Sequence, residues 1–133
     1  MTVRDLPPLP PDPAELRARC LGIALLDSVL DGHAATRAFA RDRRPGVDPA
    51  TTDNGSGDQY AVVSEPAGAF LYGFDHESDA GPWREEDREH RPGPLDGQPA
   101  SLAHCARTPE SAFDGFFDAT VCAWRASGDA TGA

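Results

Sequence analysis

The stretch "QYAVVSEPAGAFLYGF", residues 59–74, decides the fold because it predicts a β-hairpin. Its two apolar segments, QYAVVS at 59–64 and AFLYGF at 69–74, are rich in the β-branched and aromatic residues that favour strands. Between them, EPAG at 65–68 places proline and glycine at the second and fourth positions of a type I turn. We therefore expect two antiparallel strands, joined by a tight turn, at the centre of a small sheet.

A long helix is predicted upstream of the hairpin, in "PAELRARCLGIALLDSVLDG". Asp12 is a suitable N-cap, Pro13 is suited to the first helical position, and Glu15 would complete a capping box. Gly32 is the signal that ends the helix. Asp27 interrupts the apolar stripe and lies either at its exposed edge or buried against an arginine. We expect the exposed edge, because burying an unpaired carboxylate costs several kcal/mol. The stripe, typical of a face that packs on a core, comprises Leu16, Cys20, Ile23, Leu26 and Leu30, with Leu25 and Val29 beside them.

The rest of the chain gives weaker signals. Residues 33–42 are predicted to continue as a second short helix, and the turn-rich segment 43–58 is predicted to be a long loop. A short helix is expected to begin near Pro99. The alternating pattern at 117–125 predicts one more strand.

These elements predict an α+β fold, in which a small antiparallel sheet of about three strands packs against the long N-terminal helix. The five prolines of residues 1–11 and 13 predict an extended N-terminal lead at 1–11. Residues 12–125 are expected to form a single domain. The segment 126–133 is expected to be a flexible tail.

Composition narrows the classes of partner. The 133 residues carry a formal net charge of −10, which disfavours nucleic acid and anionic membrane surfaces and permits a basic protein or a cation. The three cysteines, Cys20, Cys105 and Cys122, form no C-x-x-C pair, so neither a disulfide framework nor a zinc knuckle is implied. No signal peptide or membrane span is apparent, and we expect a cytoplasmic location.

Carboxylates and imidazoles follow the second hairpin strand in "GFDHES", residues 73–78. Such ligands suit zinc, manganese or iron, so a divalent metal is one hypothesis, and no other cofactor is expected. In an extended segment Asp75 and Glu77 project away from His76, so the backbone would have to turn for all to bind one ion. The alternative is a solvated, hydrogen-bonded turn. The candidate ligands are Asp75, His76, Glu77 and His90, followed by Asp53 and Asp58.

The sequence predicts no catalytic residue. Ser78 is close to His76 along the chain, but triads are assembled from separate segments. Cys105 follows His104 in a helix-like segment, where neighbouring side chains are expected to point apart. Whether the protein is an enzyme therefore stays open, and an enzyme is the less favoured alternative.

A charged segment with a tryptophan, "WREEDREH" at 83–90, suggests a surface for a protein partner. A tryptophan among charges can be the anchor of an interface, or it can cover the end of the sheet. The candidate partner-binding residues are Trp83, Glu85, Glu86, Asp87 and Glu77.

The succession "DNGSGDQYAVV", "GAFLYGFDHES" and "FDATVCAWR" resembles a family of small uncharacterised bacterial cytosolic proteins. These share a DNGSGD loop, a hairpin, a GFDHES turn and a closing tryptophan–arginine strand, and the resemblance covers residues 48 to 125. It implies a discrete intracellular domain whose DHES turn matters. It implies no catalytic residue.

Three classes of function remain. The favoured one is a non-enzymatic acidic binding domain, similar in size and charge to immunity or antitoxin proteins that neutralise a basic toxin. The alternative is a metal-binding protein or metal-dependent hydrolase that uses the DHES turn. A structural or oligomeric module is the third, and the oligomeric state is not predicted.

Overall fold

The computed structural model describes residues 12–79, 81, 93–113 and 116–128. Within these residues a long helix, α1 (Pro13–Asp31), packs against an antiparallel sheet, which confirms the predicted α+β class. The N-terminal lead at 1–11 and the tail beyond residue 128 lie outside the described residues.

The main sheet has five strands rather than about three. Its order is β1-β2-β3-β4-β7, and every neighbouring pair is antiparallel. Strands β5 and β6 form a separate two-stranded ribbon. The strands span Arg37–Phe39 (β1), Asp48–Asp53 (β2), Gln59–Glu65 (β3), Gly68–Phe74 (β4), Ala112–Phe113 (β5), Phe116–Phe117 (β6) and Val121–Ala126 (β7).

The predicted hairpin is confirmed as β3 and β4. Val62 pairs with Leu71 and Glu65 pairs with Gly68, which leaves two residues in the turn. The predicted last strand is present as β7, but it begins later than expected, at Val121. The segment expected to be helical near Pro99 forms a 3-10 helix at Ala100–Arg107.

Two predictions about residues 33–58 are wrong. The second short helix is instead a single 3-10 turn, Gly32–Ala34, followed by β1. The segment 43–58, expected to be a long loop, contains β2, whose six residues Asp48–Asp53 pair with residues 59–64 of β3. Backbone pairing with a strongly apolar neighbour stabilises β2, although its own sequence, DPATTD, has few of the residues that favour strands.

The core lies on one face of the sheet. Phe70 and Tyr72 of β4 are 0% and 2% exposed, and they pack with Ala61 of β3. Leu102 and Cys105, from the 3-10 helix Ala100–Arg107, cover them. Because side chains alternate along a strand, Leu71 points to the opposite face of the sheet. On that face, Leu71 and Leu16 of α1 line one groove between the helix and the sheet.

Helix α1 is turned so that most of its apolar stripe faces solvent. Its N-cap Asp12, its first residue Pro13 and its stop at Gly32 are confirmed. The stripe was expected to pack on a core, but only Ala24 and Asp27 are buried. We call the following side chains the outer face of α1: Ile23, Leu25, Leu26, Val29 and Leu30, which are 53% to 80% exposed. Among the described residues, no helix combines the length and apolarity that crossing a membrane requires.

Asp27 is buried because it binds the start of β1, so the expectation of an exposed edge position is wrong. The backbone N–H groups of Thr36 and Arg37 donate to its Oδ2 over 3.0 and 2.8 Å, and the Arg37 guanidinium lies 3.5 Å from its Oδ1. The hydrogen bond from the Arg37 N–H is the main cause that lowers the pKa of Asp27. The carboxylate thus joins the C-terminal half of the helix to the edge strand.

A second carboxylate joins the N-terminal half of α1 to the sheet. Asp48, at the start of β2, binds the guanidinium of Arg17 and accepts from the N–H of Asp42 over 2.7 Å. The same guanidinium lies over the ring of Phe39, 5.4 Å from its centroid. Polar contacts therefore attach the helix at both ends.

We expect Asp27→Ala to loosen β1 and to lower the melting temperature, because two backbone N–H groups lose their acceptor. Hydrogen exchange at the Thr36 and Arg37 amides should accelerate by about tenfold or more. Since folding lowers the pKa of Asp27, its stabilising effect is present above pH 3.8 and is lost as the pH falls through the folded-state value. Asp27→Asn should remove that pH dependence. Unchanged exchange at both amides in Asp27→Ala would contradict this account.

Candidate functional site

The DNGSGD loop and the DHES turn meet at one end of the hairpin. The loop leads into β3 and the turn leaves β4, and the register pairs Gln59 with Phe74. The residues just outside that pair are therefore neighbours in space. We call Asp58, Asp75 and His76 the loop–turn group, because one potential ligand atom from each lies within 4.8 Å of the others.

Hydrogen bonds within the loop and the turn position these side chains. The Oδ1 of Asp58 lies 2.7 Å from Nδ1 of His76 and accepts from the His76 N–H over 3.2 Å. The Ser78 N–H donates to the carbonyl of Asp75 over 3.1 Å, so the chain turns there. This turn places a carboxylate oxygen of Asp75 and a ring nitrogen of His76 within 4.8 Å of a carboxylate oxygen of Asp58. In an extended backbone the side chains of Asp75 and His76 would point to opposite sides.

The other candidate ligands fall outside this group or outside the described residues. Glu77 is exposed, and its Oε1 lies 4.0 Å from Nε2 of His76. Asp53 accepts from the N–H of Gly55 over 2.8 Å and so holds the loop. The candidate ligand His90 lies outside the described residues. So do four of the candidate partner-binding residues: Trp83, Glu85, Glu86 and Asp87.

The contact between Asp58 and His76 changes the acidity of both groups. The hydrogen bond to Asp58 is the main cause that raises the pKa of His76 above its usual 6.5. The same bond lowers the pKa of Asp58 below 3.8. A bound cation would have to displace the imidazole proton from this pair, but it would gain two carboxylates and one nitrogen, ligands that suit zinc or manganese.

We expect a pH titration of the His76 ring by NMR to give a pKa above 6.5, and Asp58→Asn to lower it. The charged imidazole stabilises the fold fully below about pH 6.5, and this stabilisation is lost as the pH rises through the folded-state pKa. Asp53→Asn is the matched control, since Asp53 holds the same loop through Gly55. A His76 pKa that is the same with and without Asp58 would contradict the pairing.

A second group lies at the opposite end of the hairpin and was missed by the sequence analysis. Nε2 of His104 lies 2.7 Å from Oε2 of Glu65 and 3.8 Å from Sγ of Cys105. We call Glu65, His104 and Cys105 the hairpin-end group. The expectation that His104 and Cys105 point apart is wrong, because Nε2 of His104 approaches Sγ of Cys105 even though the two residues are consecutive in a 3-10 helix.

Cys105 is held as a thiol rather than as an activated nucleophile. Burial, followed by the charge of Glu65, raises its pKa to about 12. Both Oε2 of Glu65 and the sulfur approach the same nitrogen of His104, whereas a catalytic triad uses the two different nitrogens of its histidine. This geometry gives no support to thiol catalysis at Cys105.

Comparisons of the chain with protein-family models, with curated proteins and with solved structures found no significant match. The resemblance to a bacterial family with a DNGSGD loop and a GFDHES turn therefore stays a prediction.

Proposed function

We propose that this chain is a non-enzymatic acidic binding domain, of the immunity or antitoxin type, whose partner is a basic protein. The observation that carries the proposal is the outer face of α1. Five large apolar side chains of one helix are more than half exposed, although a helix on a sheet normally turns its apolar side inward.

The size of this surface suits a protein partner. Together its side chains expose on the order of 500 Å², the size of the largest apolar patch on a typical monomer, and such patches are often functional. Gly22 lies on the same side of the helix, and nothing lies within 4 Å of the place where its Cβ would be. The backbone there is open to close approach by another chain.

Charge selects the kind of partner. A net charge of −10 attracts a basic protein and accelerates its encounter with this chain. On this proposal the acidic side chains speed association, while Trp83 and the outer face of α1 supply the contact area that slows dissociation. The acidic side chains concerned are Glu77, Glu85, Glu86 and Asp87.

The test is to express the protein products of the neighbouring genes with and without this chain. We expect one of them, basic in net charge, to arrest growth alone and to bind this chain when both are produced. If no product of the neighbouring genes is either toxic alone or bound by the purified chain, the immunity-type proposal fails.

Two sets of variants would then separate the contribution of the acidic side chains to binding from that of the apolar surface. Neutralising Glu85, Glu86 and Asp87 together should slow association and flatten its dependence on salt. Leu26→Ser with Val29→Ser should instead accelerate dissociation, because apolar contact is lost. Binding that is unaffected by both sets would contradict the proposed surface.

A specific observation favours a second candidate function, the binding of a divalent cation by the loop–turn group. Two carboxylates and an imidazole from separate segments approach one point there. A metal ion at this point would lower the pKa of a bound water and so support hydrolysis. The finer hypothesis, a metal-dependent hydrolase, depends on that ion.

The cation hypothesis is tested by titrating the purified protein with Mn²⁺, which prefers oxygen ligands over thiolate, and following the melting temperature. We expect stabilisation by Mn²⁺ in the wild type, none in His76→Ala, and an unchanged response in Asp53→Asn. Metal-induced stabilisation that persists in His76→Ala would place the ion elsewhere. If variants of the turn change only folding or self-association, the structural-module hypothesis is favoured instead.

A further inference from the structure

We infer that the hairpin-end group is a zinc site, in which Glu65, His104 and Cys105 supply three ligands. This inference does not depend on the proposed binding function. It starts from the chemistry of the donors, because a thiolate, an imidazole and a carboxylate are the three side-chain types that zinc binds most often.

The separations between the donor atoms already approach those of a zinc site. With Zn–S near 2.3 Å and Zn–N near 2.0 Å, a tetrahedral site places sulfur and nitrogen about 3.5 Å apart. Sγ of Cys105 and Nε2 of His104 are 3.8 Å apart, and all three donor atoms lie within 4.8 Å of one another. Oε2 of Glu65 and Nε2, now 2.7 Å apart, would have to separate by roughly half an ångström for the ion to replace the proton between them.

The fold holds these donors from separate segments. Glu65 ends β3 at the hairpin turn, and its side chain is only 6% exposed. The carbonyl of Cys105 accepts from the hydroxyls of Thr108 and Ser111 over 3.0 and 2.5 Å, which fixes the residue at the bottom of the site. His104 is 55% exposed at its side chain, so an ion can enter from solvent on that side.

The charges near the group also suit a divalent ion. Glu65 and the Cys105 thiolate together would balance Zn²⁺. Arg44, whose charge acts on Cys105, is already paired with both carboxylate oxygens of Glu110 over 3.0 and 2.9 Å, which limits its repulsion of the metal. The Glu65 carboxylate, whose side chain is almost fully buried, is hydrogen-bonded to Nε2 of His104.

Binding changes the protonation of the group in a defined way. The Cys105 thiol forms the Zn–S bond and releases its proton to solvent. In the bound state the imidazole coordinates through Nε2 and carries its proton on Nδ1, so deprotonation of the thiol accounts for one proton released for each ion bound. The affinity should therefore rise about tenfold per pH unit around neutrality, where the free thiol is protonated.

Cobalt(II) substitution is the decisive experiment, because a thiolate ligand gives a sulfur-to-cobalt charge-transfer band in the near ultraviolet. We expect one Co²⁺ per chain with this band, displaced by Zn²⁺. Cys105→Ser should abolish the band, and His104→Ala should weaken Zn²⁺ binding at least tenfold. The His104 variant covers the case in which Cys105→Ser fails to fold, because the His104 side chain is exposed.

Controls separate this site from other sources of signal. Cys20→Ser, at a half-buried cysteine of α1, should retain the band. His76→Ala should also retain it, because the loop–turn group contains no sulfur. That group lies roughly 20 Å away, at the other end of the seven-residue strand β3. The inference is overturned if Zn²⁺ does not bind, if the Co²⁺ protein lacks the band, or if His104→Ala binds like the wild type.

Discussion

Replacing Phe70 with alanine is expected to lower the free energy of unfolding by about 3 to 5 kcal/mol, the range for deleting a fully buried phenylalanine side chain. Phe70 is 0% exposed and packs in the centre of a core that contains few other large side chains. Domains of this size have total stabilities of about 5 to 15 kcal/mol. The variant should therefore be close to unfolding at physiological temperature.

Urea denaturation followed by circular dichroism would measure this loss. Leu26→Ala is the matched control, because it also removes a large apolar side chain, from a position that is 59% exposed. The control should change the stability by less than about 0.5 kcal/mol. A Phe70→Ala loss no larger than that of the control would contradict the described core and the described orientation of α1.

Gly68→Ala is expected to destabilise the protein by about 2 to 4 kcal/mol, because it combines backbone strain with overpacking. Gly68 has a φ of +144°, which side-chain-bearing residues rarely adopt. An added Cβ would lie 2.1 Å from the carbonyl oxygen of Arg125 and 2.9 Å from Cα of Ala126. Both atoms belong to the backbone of β7, so the strand itself would have to move.

Gly22→Ala provides the opposite control within the same protein. Gly22 is in α1, and an added Cβ would meet nothing within 4 Å. Alanine should therefore stabilise the helix by about 1 kcal/mol. The two variants are expected to shift the urea midpoint in opposite directions, and a loss of stability in both would show that the helix surface is not open as described.

The parts of the fold that were predicted correctly are those with a local cause. The hairpin follows from two apolar segments and the proline and glycine between them, and the helix limits follow from the N-cap Asp12 and the stop at Gly32. Strands β1 and β2 were missed because their pairing depends on a partner strand rather than on their own composition.

The orientation of α1 could not be obtained from periodicity. A period of 3.6 residues shows that a helix has an apolar side, but it does not show what that side meets. Asp27 helps to fix the orientation of α1 because it accepts from backbone N–H groups nine and ten residues away. No sequence pattern indicates those contacts.

The two candidate sites also differ in whether their cause is local in the sequence. Asp58 and Asp75 flank adjacent strand ends, so the hairpin itself brings them close together. The hairpin-end group joins Glu65 to His104 across 39 residues, and that contact depends on how the 3-10 helix packs on the sheet. Spacing along the chain carries no signal for it.

The polar anchors of α1 also fix its rotational setting. Turning the helix by half a revolution about its axis would place its leucines against the sheet and enlarge the core. The same rotation would remove Asp27 from the N–H groups of Thr36 and Arg37 and would separate Arg17 from Asp48. Two carboxylates therefore keep the apolar side of this helix exposed to water and oppose the rotation that would bury it.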